Sequence, residues 1–78
     1  MAGERRADLR TTHADPQTVA AAIRPDNTAS MTTRVEGDAV VTAIARETTG
    51  GLQSSVDDYV VNLTVAETVT HTARNYTP

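Results

Sequence analysis

Cysteine, phenylalanine, tryptophan and lysine are all missing from this 78-residue chain, and each absence closes off a class of explanation. Without cysteine there is no disulfide, no thiolate nucleophile and no thiolate metal site. With no Phe or Trp and two Tyr, the core must be assembled from Val, Ile, Leu, Ala and Met, and the strands carry no aromatic pair for stacking bases. No apolar run approaches the about 20 residues of a bilayer span. The start, Met1 to Arg6, is charged with no apolar stretch behind it, so a soluble, cytoplasmic protein is expected. All seven basic residues are Arg, set against ten Asp and Glu, for a net charge of −3. Abundant Ala, Thr and Val with no Lys resembles the output of a GC-rich, salt-adapted proteome. Concentrated salt shortens surface electrostatics, so mild acidity does not exclude nucleic acid. A chain of this length makes one domain and buries a modest share of its surface, which makes association the natural source of extra buried area. A homodimer is the default form of such association.

What is present reads as an alternation of short elements. Residues 1–6 form a polar leader. Ala7 to Ala14 alternates as a strand, with Leu9, Thr11 and His13 on one side and Arg10 and Thr12 on the other. Asp15-Pro16 starts a helix, because Asp accepts from free first-turn amides and Pro fits the first helical position. That helix runs from Pro16 to Arg24, buries Val19, Ala20 and Ile23, and stops before Pro25, which pushes its predecessor out of the α region. Ser30 to Glu36 forms a strand with Met31, Thr33 and Val35 on one face, and Ala39 to Arg46 a β-branched one. Gly37-Asp38 between them supplies the positive φ of a tight antiparallel hairpin. Glu47 to Gly51 reads as a loop, with Gly50-Gly51 a hinge, before a long helix from Leu52 to Ala73. Residues 7–74 then form one domain and 75–78 a tail. The order β-α-β-β-α predicts a two-layer α+β fold, a three-stranded antiparallel sheet with two helices on one face. The other sheet face and at least one strand edge are left without cover.

The long helix carries two apolar stripes. At about 100° per residue, Leu52, Val56, Tyr59, Val60, Leu63 and Ala66 gather on a core-facing side. Val61, Val65 and Val69 build a second ridge well away from it, with Ser54, Asp57, Thr64 and Thr68 in the arc between. Scattered surface valines are ordinary. A ridge of them along one helix is the form of a docking seam for another protein's helices.

Catalytic chemistry is thin. His13 and His71 stand on separate elements, with no second ligand at metal spacing. Asp57 and Asp58 point about 100° apart, which suits the positive end of the helix dipole better than a shared acid-base site. Gly50-Gly51 lacks the other positions of a phosphate-binding motif. No cofactor and no metal is expected, and the chain is not expected to be an enzyme. Arg10, Arg24, Arg34 and Arg46 are the candidates for phosphate contact, although the Gly-x-x-Gly loop of KH domains is missing.

Three pieces in order carry a family resemblance: Ala22-Ile23-Arg24-Pro25-Asp26-Asn27 closing the first helix, the Val35-Glu36-Gly37-Asp38 hairpin, and Ser54-Ser55-Val56-Asp57-Asp58-Tyr59-Val60-Val61-Asn62-Leu63 in the second helix. Over residues 7 to 74 the chain resembles the small dimerising subunit of the KEOPS (EKC) complex, the CTAG/Pcc family, in an archaeal, halophilic form. The resemblance implies an accessory role in tRNA threonylcarbamoyladenosine modification. The subunit would be non-catalytic, would form a homodimer, and would dock its helices on the threonylcarbamoyl-transferase catalytic subunit and through it reach the kinase and other small subunits. It also implies weak tRNA contact, for which Arg10, Arg24, Arg34 and Arg46 are the candidates. On this reading the partner-helix interface takes Val61, Asn62, Val65 and Val69, with Val19 and Ile23 beside them. The dimer interface takes Met31, Thr33, Val35, Val40, Thr42 and Ile44. The rival expectation is a stand-alone RNA-binding domain of β-α-β-β-α type.

Overall fold

A computed structural model describes residues 3–75, and their side chains other than those of Asp26 and residues 69–75. Its elements are β1 (Arg5–Thr12), α1 (Pro16–Ile23), a 3₁₀ turn (Arg24–Asp26), β2 (Met31–Glu36), β3 (Ala39–Arg46) and α2 (Thr49–Asn75). This is the α+β arrangement that the pattern of strands and helices predicts. The sheet is antiparallel throughout in the order β1-β3-β2, so β3 is central and β1 and β2 are its edges.

Local chemistry accounts for the element ends. The Asp15 carboxylate accepts from the backbone N–H of Thr18 at 3.3 Å and from its hydroxyl at 2.7 Å, and Pro16 occupies the first turn of α1. At the hairpin, Gly37 has φ +61° and Asp38 does not share the positive sign, so one glycine suffices. Several boundaries differ from the sequence expectation: Arg24 keeps α geometry and opens a 3₁₀ turn that runs through Pro25 instead of being pushed out of the α region, β1 stops at Thr12, β2 starts at Met31, and α2 reaches Asn75. Two starts move as well. Arg5 and Arg6 belong to β1 rather than to the leader, paired with Arg46 and Ala45 of β3. The long helix begins at Thr49, so Gly50 and Gly51 are its first turn and not a hinge. Thr48 is the reason: its hydroxyl accepts from the Gly51 N–H at 2.9 Å, and its carbonyl accepts from the Leu52 N–H at 2.9 Å. A Cβ at Gly51 would meet the Thr48 hydroxyl and the Arg46 guanidinium at 2.9 and 3.1 Å, so a larger residue there would make those two side chains shift.

Both helices lie on one face of the sheet, α1 against β2 and β3, α2 against β3 and β1. Between the layers Val19, Ala20, Ile23, Val40, Ile44, Tyr59, Leu63 and Ala66 form the core, with Leu9, Met31, Val35, Leu52 and Val56 packed around it. Each fully buried Val, Ile or Leu contributes about 1.5–3 kcal/mol of hydrophobic stabilisation. One polar chain crosses this apolar layer. The Asn27 amide donates to Thr33 at 2.7 Å, Thr33 and Thr42 share a hydrogen bond of 2.8 Å, and Thr42 donates to the Tyr59 hydroxyl at 2.7 Å. Since Thr42 has a single proton, Thr33 is the donor in the middle bond, and the chain runs one way into α2.

Candidate interaction surfaces

The helical layer sorts the residues of α2 by the angle each takes around the axis. Tyr59, Leu63 and Ala66 are buried, as the first stripe predicts. Val60, placed on that stripe by periodicity, is instead 46% exposed, about 100° around the axis from Tyr59 and so at the border of the inward arc. Val61 and Val65 are 62% and 58% exposed, so the outer ridge is on the surface. Asn62 is half-buried at the opposite border, and the Val69 side chain lies outside those described. The hydroxyls of Thr64 and Thr68 donate back to the carbonyls of Val60 and Thr64, each at 2.9 Å. The nearly buried His13 ring puts Nδ1 2.8 Å from the Glu67 carboxylate of this helix and Nε2 2.7 Å from the Thr11 hydroxyl.

Val19 and Ile23 are not part of this surface. At 2% and 1% exposure they fill the protein's own core, because α1 turns that side onto the sheet. The six strand residues assigned to self-association also face inward. Val40, Thr42 and Ile44 have no exposed surface left, and Met31, Thr33 and Val35 sit beside them under the helices. Nor does β3 have a free edge, since both of its sides are paired.

The face away from the helices carries a central row of Ala39, Val41, Ala43 and Ala45, flanked by Arg6, Asp8, Arg10 and Thr12 on β1 and by Thr32, Arg34 and Glu36 on β2. It is less bare than its lack of helices suggests. Arg10 and Arg34 stand on either side of Val41 in register, and both bond to Glu36, Arg10 at 3.0 Å. The three long side chains roof Val41, which is 3% exposed. Hydrogen bonds from Arg34 first and Arg10 second hold the Glu36 carboxyl below its ordinary range. Arg6 pairs with Asp8 on the same strand at 3.1 Å.

The four arginines proposed for phosphate contact are not gathered into one site. Arg10 and Arg34 share Glu36. Arg46 reaches over the first turn of α2, donating to the Ser55 hydroxyl at 2.7 Å and to the Gly51 carbonyl at 3.4 Å. Arg24 is on the turn after α1. An open trough of about 830 Å³ floored by Ala43 and Ala45 does bring Arg34 and Arg46 to one rim, together with Arg6, Glu4 and Glu47. Among the described residues no group of three or more His, Cys, Asp or Glu is placed to hold a metal ion, and no helix is long and apolar enough to cross a membrane. Comparison of the chain with models of known protein families, with curated proteins and with solved structures gives no match.

Proposed function

We propose that the protein is a non-catalytic scaffold subunit that associates with itself and docks the outer side of α2 against helices of a larger enzyme. The observation that supports it is the ridge of Val61 and Val65, exposed on a helix whose opposite side already closes the core. An apolar ridge between polar residues on a rigid helix is the form that helix-on-helix docking takes. The order of elements and the Ser54 to Leu63 segment resemble the KEOPS small subunit. On that resemblance the partner is the threonylcarbamoyl-transferase catalytic subunit and the process is tRNA threonylcarbamoyladenosine modification in the cytoplasm of a halophilic archaeon.

Val61→Asp and Val65→Asp test it. Each is expected to abolish capture of the transferase by the tagged protein while its circular dichroism and melting curve stay those of the wild type. A variant that binds the transferase normally removes the proposal, and a variant that unfolds shows the ridge to be core. The stand-alone RNA-binding reading draws on the trough where Arg34 and Arg46 meet. It requires salt-sensitive tRNA binding by the purified protein that weakens in Arg34→Ala.

A further inference from the structure

We propose that His13, Glu67 and His71 bind a divalent transition-metal ion of the zinc type, with water in the fourth position, where α2 passes the end of β1. The site lies beyond the scaffold reading and does not depend on it.

The fold supplies two of the donors. Ser55 meets Arg46, Tyr59 meets Thr42 and Glu67 meets His13, so α2 runs back along β3 and reaches the end of β1 at Glu67. The His13 side chain is 5% exposed and the Glu67 side chain 49%, with Nδ1 and the carboxylate 2.8 Å apart. The helix supplies the third donor. His71 is the other histidine of the chain and stands one turn beyond Glu67, at its i+4 position on α2. Residues at that spacing share a helix face, and a helical residue covers the turn that precedes it. The His71 side chain lies outside those described, so its place in the site follows from its position on the helix. Distance along the sequence separates the two histidines, and Glu67 joins them.

Donor chemistry selects the occupant. Two imidazoles and one carboxylate are the ligands of open zinc sites, which keep a water as the fourth. Imidazole also suits copper and nickel, whereas magnesium and calcium take oxygen donors. A carboxylate only accepts, so Nδ1 of the neutral His13 ring carries the proton facing Glu67, and Nε2 accepts from the Thr11 hydroxyl at 2.7 Å. A zinc ion takes the place of that proton. The ring proton then sits on Nε2 and is donated to Thr11, the kind of outer bond that orients a metal-bound imidazole. Zinc stands about 2.0–2.2 Å from nitrogen and oxygen ligands, which sets two tetrahedral donors about 3.4 Å apart. The 2.8 Å gap therefore has to open by about 0.6 Å, a movement open to a half-exposed glutamate. Ala66 is the last buried residue of α2 among those described, so the metal would pin the helix to β1 where its core contacts end.

Zinc chloride titrated into the purified full chain, free of any histidine tag, tests this by calorimetry and melting temperature. The wild type is expected to take up one zinc ion per chain and to melt higher as zinc rises, and magnesium chloride should do neither. His71→Gln and Glu67→Gln should each weaken zinc uptake by about tenfold or more, at least the cost of losing an outer-shell partner. Their circular dichroism without metal should match the wild type. NMR of the wild type reads the ligands without any substitution: the ring signals of both histidines should shift together, complete at one equivalent of zinc. A wild type that takes up no zinc at submillimolar concentration overturns the site. So does a His71→Gln chain that binds zinc as tightly as the wild type, or a histidine ring whose signals do not move. None of these outcomes bears on α2 docking, which the capture experiment reads.

Discussion

The two sides of α2 use similar residues in opposite ways. Inward, Tyr59, Leu63 and Ala66 are matched by Val40, Ile44, Val19 and Ile23, and the one buried hydroxyl on the aromatic ring has a partner in Thr42. Outward, Val61 and Val65 stand among threonines with more than half of their surface exposed. Composition does not separate these sides. What separates them is the angle each residue takes around the helix axis, which turns one side onto the sheet and leaves the other outside.

That contrast breaks most severely from the inside. Ile23→Ala should cost about 3 kcal/mol. A domain of this size has about 4–12 kcal/mol of stability in total, so a large drop in the urea midpoint is expected, and an unchanged midpoint would mean that the core is misassigned. Tyr59→Phe keeps the ring and removes the acceptor of the Thr42 hydroxyl, for an expected loss of about 1–2 kcal/mol in the same measurement. The outer side should respond far less: Val61→Ser is expected to stay within about 0.5 kcal/mol of wild type.

Titration sharpens the comparison further. Burial raises the Tyr59 phenol above its ordinary value, only partly offset by the Thr42 hydrogen bond. The unfolded chain then ionises first, and stability should hold up to about pH 10 and fall above it. Tyr59→Phe should remove that part of the alkaline slope. The smallest effect belongs to the exposed sheet face. With its carboxyl depressed, Glu36 stabilises the fold above the ordinary glutamate range, and the effect is lost as pH falls through the folded value. Glu36→Gln should flatten that shallow acid limb of the melting temperature.

Signals confined to a few neighbouring residues were readable in the sequence. Asp15-Pro16 marks the start of α1, Gly37-Asp38 the hairpin, and the spacing of Val19, Ala20 and Ile23 the buried side of α1. The start of α2 was hidden because two glycines look like a loop, and only the bonds to Thr48 show that the helix holds them. Arg5 and Arg6 look like a solvated leader because their strand character comes from pairing with β3. Features joining distant residues left no local trace: the Asn27-Thr33-Thr42-Tyr59 chain, the His13-Glu67 contact and the Glu36 roof. The outer ridge of α2 was readable as a period. The strand residues assigned to self-association were misplaced because alternation says which residues share a face and not which face the helices cover.

Thr64 and Thr68 turn their hydroxyls into their own helix. Those two donors are spent inside the helix, so what Val61 and Val65 offer a visitor to that side is apolar contact. Adhesion of this kind is not screened by dissolved ions, and strongly excluded salts such as sulfate reinforce it. Brine that would dissolve an ionic contact would tighten this one.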